Sequence, residues 1–155
     1  MIIAGTGHRP SKLGGYHVQP QLIALATCAL NKYKPTEVIS GMALGWDQAL
    51  AEAAIFTGIP FNAYVPCIGQ ERMWPATAQK TFNSLLLKAK KVVLCSDTTY
   101  NSSVMQKRNE MMVRDCTDIL ALWNGTSGGT ANCIRYANQM KRPIINVWAS
   151  WEKYK

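Results

Sequence analysis

Residues 121–139 read "ALWNGTSGGTANCIRYANQ": an apolar run that stops at Trp123, a polar loop, then a helical pattern. Positions 124–130 hold three glycines (Gly125, Gly128, Gly129) and three hydroxyl residues (Thr126, Ser127, Thr130). Two readings stay open for this loop. It is a turn, because glycine tolerates positive φ and Asn124-Gly125 is a turn pair. Or it is a phosphate cradle, because a glycine-rich loop entering a helix presents backbone N–H groups where the helix dipole favours an anion. In both readings the order is strand, loop, helix.

The same order recurs outward from this stretch. Strand-like runs lie at residues 1–5, 36–41, 59–66, 91–95, 117–123 and 142–148. Helical spacing or composition marks 19–33, 46–58, 75–89, 102–116 and 129–141. Gly58 and Pro75 act as helix punctuation. The tail "ASWEKYK" carries no signal. Strict alternation with apolar, β-branched strands predicts an α/β fold: one Rossmann-like doubly wound domain over 1–155, with about six mostly parallel strands and helices on both faces.

At 155 residues with 48% hydrophobic and 17% charged content, a folded globular chain is expected and broad disorder is excluded. No apolar run is long enough to span a membrane, and "MIIAGTGHRP" has no secretory pattern, so a cytoplasmic location is expected. Five cysteines without a C-x-x-C pair read as free thiols, and two histidines nine residues apart make no zinc site. No metal and no cofactor are expected. The net charge of +8 suits an anionic ligand, although its lysines and arginines are scattered and equally fit a solvated surface.

Polar and glycine residues concentrate after each strand, at the carboxyl edge where doubly wound sheets bind ligands. Gly5 and Gly7 precede His8 and Arg9. Arg9 reads as a phosphate ligand or a salt-bridge partner, and His8 as a ligand or a packing group. Ser40, Gly41 and Gly45 shape the next turn, where Asp47 caps its helix, accepts a ribose hydroxyl or acts as a general base. Gln70 and Trp74 follow the third strand, and Trp74 stacks on a base or closes the core. Arg108 and Asn109 lie on the fourth helix beside Lys107. The methionines 105, 111 and 112 read as core. Gly125, Ser127, Gly128, Gly129 and Thr130 complete the candidate set.

Taken in register, "GTGHRP", "SGMALGWD", "PCIGQERMW", "QKRNEMMVRDCTDILALWNGTSGGT" and "YANQMKRPI" resemble the SLOG superfamily. This Rossmann-like group contains the cytokinin-activating LOG phosphoribohydrolases and the DprA DNA-processing proteins, and the nearest branch is YpsA-like. The resemblance implies a nucleotide-like ligand at the carboxyl edge, its phosphate held by the "GTSGGT" loop. The LOG enzymes carry P-G-G-x-G-T-x-x-E with an arginine upstream. Arg108 matches that arginine, but Cys133 stands where the glutamate belongs. LOG-type hydrolysis would need Asp47, Glu71 or Glu110 instead.

The expected function is therefore binding of a phosphorylated nucleotide or ADP-ribose-like ligand. An N-glycoside hydrolase acting on nucleoside 5′-monophosphates, with Asp47 and Arg108 as catalytic candidates, is the first alternative. DprA-like single-stranded DNA binding is the second. A homo-oligomer is expected and a membrane partner is not.

Overall fold

Side chains along a strand point alternately to opposite faces, and here both sets are apolar. Ile3, Val38, Ala63, Leu120 and Leu122 enter one hydrophobic layer, while their neighbours Ala4, Ile39, Tyr64, Ile119 and Ala121 enter the other. A sheet buried on both faces needs helices on both sides. The computed structural model describes residues 1–154 and has that arrangement.

The strands are β1 (Ile2–Gly7), β2 (Glu37–Ser40), β3 (Phe61–Val65), β4 (Lys91–Leu94), β5 (Asp118–Leu122) and β6 (Ile144–Asn146). They form one parallel sheet in the order β4-β3-β2-β1-β5-β6. The helices are α1 (Gln19–Tyr33), α2 (Trp46–Thr57), α3 (Ala76–Lys88), α4 (Ser102–Asp115), α5 (Gly129–Gln139) and α6 (Trp148–Glu152). Residues of α1, α2, α3 and α6 pack in the first layer, and those of α4 and α5 in the second.

Helix α1 buries Leu22, Leu25, Ala26, Ala29 and Leu30, a stripe at spacings of three and four. Helix α2 is alanine-rich because it lies close on β1. A Cβ at Gly5 would come within 2.5 Å of Leu50 Cδ2, and one at Gly7 within 2.5 Å of Trp46 Cδ1. Gly58 ends this helix at φ 75°, the left-handed conformation glycine adopts without strain.

From β1 to β4 the chain steps steadily toward one edge. It then crosses the opposite face through α4 and inserts β5 on the other side of β1. The connections leaving β1 and β5 diverge, so a crevice opens between their carboxyl ends.

The sequence-based segments and the observed elements differ mainly at their ends. The first strand continues to Gly7, and the last is only Ile144–Asn146. Residues 149–152 of the tail that carried no sequence signal continue α6 from Trp148 and place Trp151 in the core at 1% exposure. Two single-turn 3₁₀ helices, Pro10–Lys12 and Tyr16–Val18, fold the segment after β1. Elements of three to five residues are too short to show a hydrophobic period.

Candidate functional site

A cavity of about 450 Å³ opens in the crevice at the carboxyl ends of β1 and β5. Its walls are the loop after β1, the N-terminus of α5 and one face of α4, with Asp47 of α2 among its lining residues.

The α5 wall follows from the glycine loop. Gly128 is the N-cap at φ 138°, and no side chain caps this helix. The first helical bond runs from the Asn132 N–H to the Gly128 carbonyl at 3.0 Å. The N–H groups of Gly129, Thr130 and Ala131 therefore have no acceptor among the described residues. With the helix dipole behind them, they make a site suited to an anion. Arg9 is exposed at the rim of the cavity. Lys12 donates to Thr126 Oγ1 at 3.0 Å, which brings a second cation to the same loop.

Below this end lies a buried polar chain. Asn109 Nδ2 donates to the Gly129 carbonyl at 3.4 Å, and Arg108 Nε donates to Asn109 Oδ1 at 3.0 Å. Arg108 Nη1 donates to the Gly41 carbonyl. Beside it, Asp47 Oδ2 accepts from the Ala43 N–H at 3.3 Å. Asp47 is 6% exposed. Burial pushes its carboxyl above the usual range, while the Arg108 guanidinium, the Ala43 N–H and Arg9 pull it back. Asp47 is the one carboxylate among the described residues lining the cavity.

His8 is buried, with Nε2 2.8 Å from Asn124 Oδ1 and 3.0 Å from the Asn124 backbone nitrogen. Its ring meets Trp148 edge-on, with centroids 5.8 Å apart. Burial is the main cause lowering its pKa, Lys12 adds to the effect, and the Asn124 hydrogen bond opposes it. His8 thus pins the β1 loop to the loop after β5.

The cavity brings together Gly5, Gly7, His8, Arg9, Asp47, Arg108, Asn109, Ser127, Gly128, Gly129 and Thr130. Six other candidates lie outside its lining, each with another role. Ser40 Oγ donates to the Asp47 carbonyl at 2.7 Å and accepts the Met42 N–H. Gly41 leaves room for the Arg108 guanidinium, which a Cβ there would meet at 2.5 Å. Gly45, at φ 90°, lies so close to the His8 carbonyl that a Cβ would approach it to 2.6 Å. Gln70 Nε2 donates to the Gly41 carbonyl at 3.2 Å. Trp74 packs edge-on against Phe82 at 5.4 Å, beside the first core layer. Gly125, at φ 91°, turns the loop after β5.

Lys12, Tyr100, Met105, Gln106 and Met112 also line the cavity and were not among the sequence candidates. Met105, Arg108, Asn109 and Met112 share one face of α4 at spacings of three, four and seven, so helical period connects the methionines to Arg108. Cys133 lies in the second core layer at 1% exposure, and burial pushes its thiol up to about 11. Neither Glu71 nor Glu110 lines the cavity, and Glu110 Oε2 accepts from Gln106 Nε2. No group of three or more potential metal ligands occurs among the described residues. No helix among them is long and apolar enough to cross a membrane.

Known proteins share this architecture. The chain is 25% identical over 138 residues to the SPbeta prophage-derived protein YoqJ of Bacillus subtilis (strain 168), covering 79% of this chain and 81% of that protein. The fold is similar to DNA processing protein A from Helicobacter pylori, with TM-score 0.67 and 19% identity over 93% of this chain. It is also similar to the molybdenum cofactor carrier protein from Chlamydomonas reinhardtii, with TM-score 0.57 and 14% identity, covering 92% of this chain and 73% of that one. The present chain spans 63% of the length of the H. pylori protein. The family model for DNA recombination-mediator protein A matches residues 14–154, nearly the whole chain. The chain belongs to the DNA recombination-mediator protein A family and, with it, to the SLOG superfamily.

Proposed function

We propose that this chain binds a phosphorylated nucleotide or ADP-ribose-like molecule in the cavity between β1 and β5, with the phosphate on the N-terminus of α5. The observation that carries this reading is the uncapped first turn of α5, opening into the same cavity as Arg9, Lys12 and the buried Asp47 and Arg108. The donors suit phosphate oxygens, and about 450 Å³ lies within the range of small-molecule sites. The family and its neighbours support the coarser statement of a nucleotide or nucleic-acid role. The H. pylori relative binds single-stranded DNA and the Chlamydomonas relative carries molybdenum cofactor.

Thermal shift against nucleoside mono- and diphosphates and ADP-ribose tests the reading. A ligand that binds only the folded state raises stability by RT ln(1 + [L]/Kd). No shift with any of them at millimolar concentration rejects it.

Hydrolysis of an N-glycosidic bond is the second reading, and one observation favours it. Asp47 is a buried carboxylate of raised pKa on the cavity wall, as an acid–base group at a sugar centre would be. Release of free base from a nucleoside 5′-monophosphate, lost in Asp47→Asn, supports it. Binding is preferred because Cys133, at the position of the LOG glutamate, is a core thiol with no access to the cavity. Self-association belongs to the same proposal, and light scattering that returns 17.2 kDa at micromolar concentration contradicts it.

A further inference from the structure

Resting on the nucleotide reading, the geometry points to a site that selects the ribose: Asp47 accepts from the free 2′,3′-diol of a ribonucleotide and thereby excludes 2′-deoxynucleotides and internal positions of a DNA strand.

Asp47 is 6% exposed, and one of its oxygens is used by the Ala43 N–H. Oδ1 has no hydrogen-bond partner among the described residues. The charged groups facing the carboxylate are Arg108 and Arg9. Neither closes an ion pair with it; among the described residues the one ion pair is Lys90–Glu37, elsewhere on the sheet. Asp47 Oδ1 is not among the sealed, unpartnered buried atoms, and Asp47 lines the cavity, so this oxygen is an acceptor open to a bound donor. A cation is disfavoured, because Asp47 belongs to no group of three or more potential metal ligands among the described residues and already faces the cations Arg108 and Arg9. A phosphate would be repelled. What remains is an uncharged group with O–H or N–H donors.

Its place relative to the phosphate narrows the class. Gly129, at the anion end, is linked through Asn109 to Arg108 by two hydrogen bonds. Arg108 and Asp47 are near neighbours, because a Cβ built on Gly41 would touch both, Nη1 at 2.5 Å and Oδ2 at 3.0 Å. Two side chains therefore separate the phosphate donors from the carboxylate. That span suits the sugar, which follows directly on a 5′-phosphate. The base is then left to the wall that carries Gln106 and the exposed Tyr100. A vicinal diol offers a carboxylate two parallel donors. An internal DNA nucleotide lacks the 2′-hydroxyl and has its 3′-oxygen esterified, so it offers none.

Isothermal titration with AMP, 2′-dAMP, 3′-dAMP and ribose 5-phosphate, on the wild-type chain and on Asp47→Asn, tests this. In the variant the amide oxygen can keep the Ala43 bond while a donor replaces the acceptor at Oδ1. The wild type binds AMP at least about tenfold more tightly than either deoxy form, and ribose 5-phosphate retains measurable affinity. In Asp47→Asn the ratio falls to about one. Equal wild-type affinity for AMP and 2′-dAMP overturns the ribose assignment and leaves the nucleotide reading standing. A preference that survives in folded Asp47→Asn also overturns it. No binding of any of the four, or of the wider nucleotide panel, removes the nucleotide reading and this inference together. The wild-type comparison needs no variant, so misfolding of Asp47→Asn does not protect the proposal.

Discussion

Glycines that look alike in sequence do different work in this fold. A Cβ at Gly129 would meet nothing within 4 Å, and the backbone there is not left-handed. No packing within the chain calls for a glycine at this position. If the ligand phosphate sits on the first turn of α5, Gly129→Val keeps the melting temperature within a few degrees and abolishes nucleotide binding. Unchanged affinity in the folded variant would sink the cradle. Gly45 is the contrast: its φ of 90° and the His8 carbonyl at 2.6 Å from a Cβ mean that Gly45→Ala lowers stability by about 1–3 kcal/mol. Arg9→Ala should weaken a nucleoside monophosphate by about tenfold and the matching nucleoside hardly at all, measured by titration. His8 makes a pH prediction. Its folded pKa lies below 6.5, so between the two values the unfolded chain holds more protons. Stability then rises with pH through that window and is lost as the solution is acidified below 6.5. Melting curves at several pH values should show this slope in the wild type and a weaker one in His8→Gln.

The inner strands β1, β2, β3 and β5 were legible because a doubly covered parallel sheet demands apolar residues on both faces, and few other segments carry them; the edge strands β4 and β6 are more exposed. The carboxyl-edge loops were legible for a related reason, since a parallel sheet gathers them on one side. The face of the site each loop residue would take was not legible. Trp74 and Tyr100 both follow strands, yet Trp74 turns onto Phe82 while Tyr100 borders the cavity. That choice depends on how the loops after β3 and β4 run, which no local pattern encodes. Met105 and Met112 fitted a core stripe equally well, because a cavity wall and a core face share one helical period. The fit of α2 to β1 was also invisible. There Trp46 Nε1 donates to the Leu120 carbonyl at 3.2 Å, and its ring covers Gly7. Gly7→Ala forces a methyl to 2.5 Å from that ring, so it should destabilise by about 1–3 kcal/mol, read by denaturant unfolding.

The basic residues behind the charge of +8 form no run of five or more along the chain. Lys90 pairs with Glu37 near the β4 edge. Arg142 spends its donors on the carbonyls of Val113, Arg114 and Met140, sealing the ends of α4 and α5. Of the exposed aromatic residues Tyr16, Phe56, Tyr100 and Tyr154, only Tyr100 borders the cavity. Non-specific binding of a single strand needs a basic groove with successive stacking platforms, and the described residues lining the cavity offer one exposed aromatic ring, Tyr100, beside the cations Arg9 and Lys12. Oligonucleotide binding and nucleotide binding should therefore part company with salt. A single-stranded DNA 12-mer should bind weakly at low salt and lose its affinity steeply by about 0.2 M, because counterion release drives it. A nucleoside monophosphate, contacting buried and backbone donors, should lose far less over the same range. Titrations of both ligands from about 0.05 to 0.3 M salt, with the nucleotide as competitor, read the difference. A 12-mer that still binds tightly at the upper end, and that the nucleotide displaces, would mean the strand itself occupies the cavity and would overturn a small-molecule site.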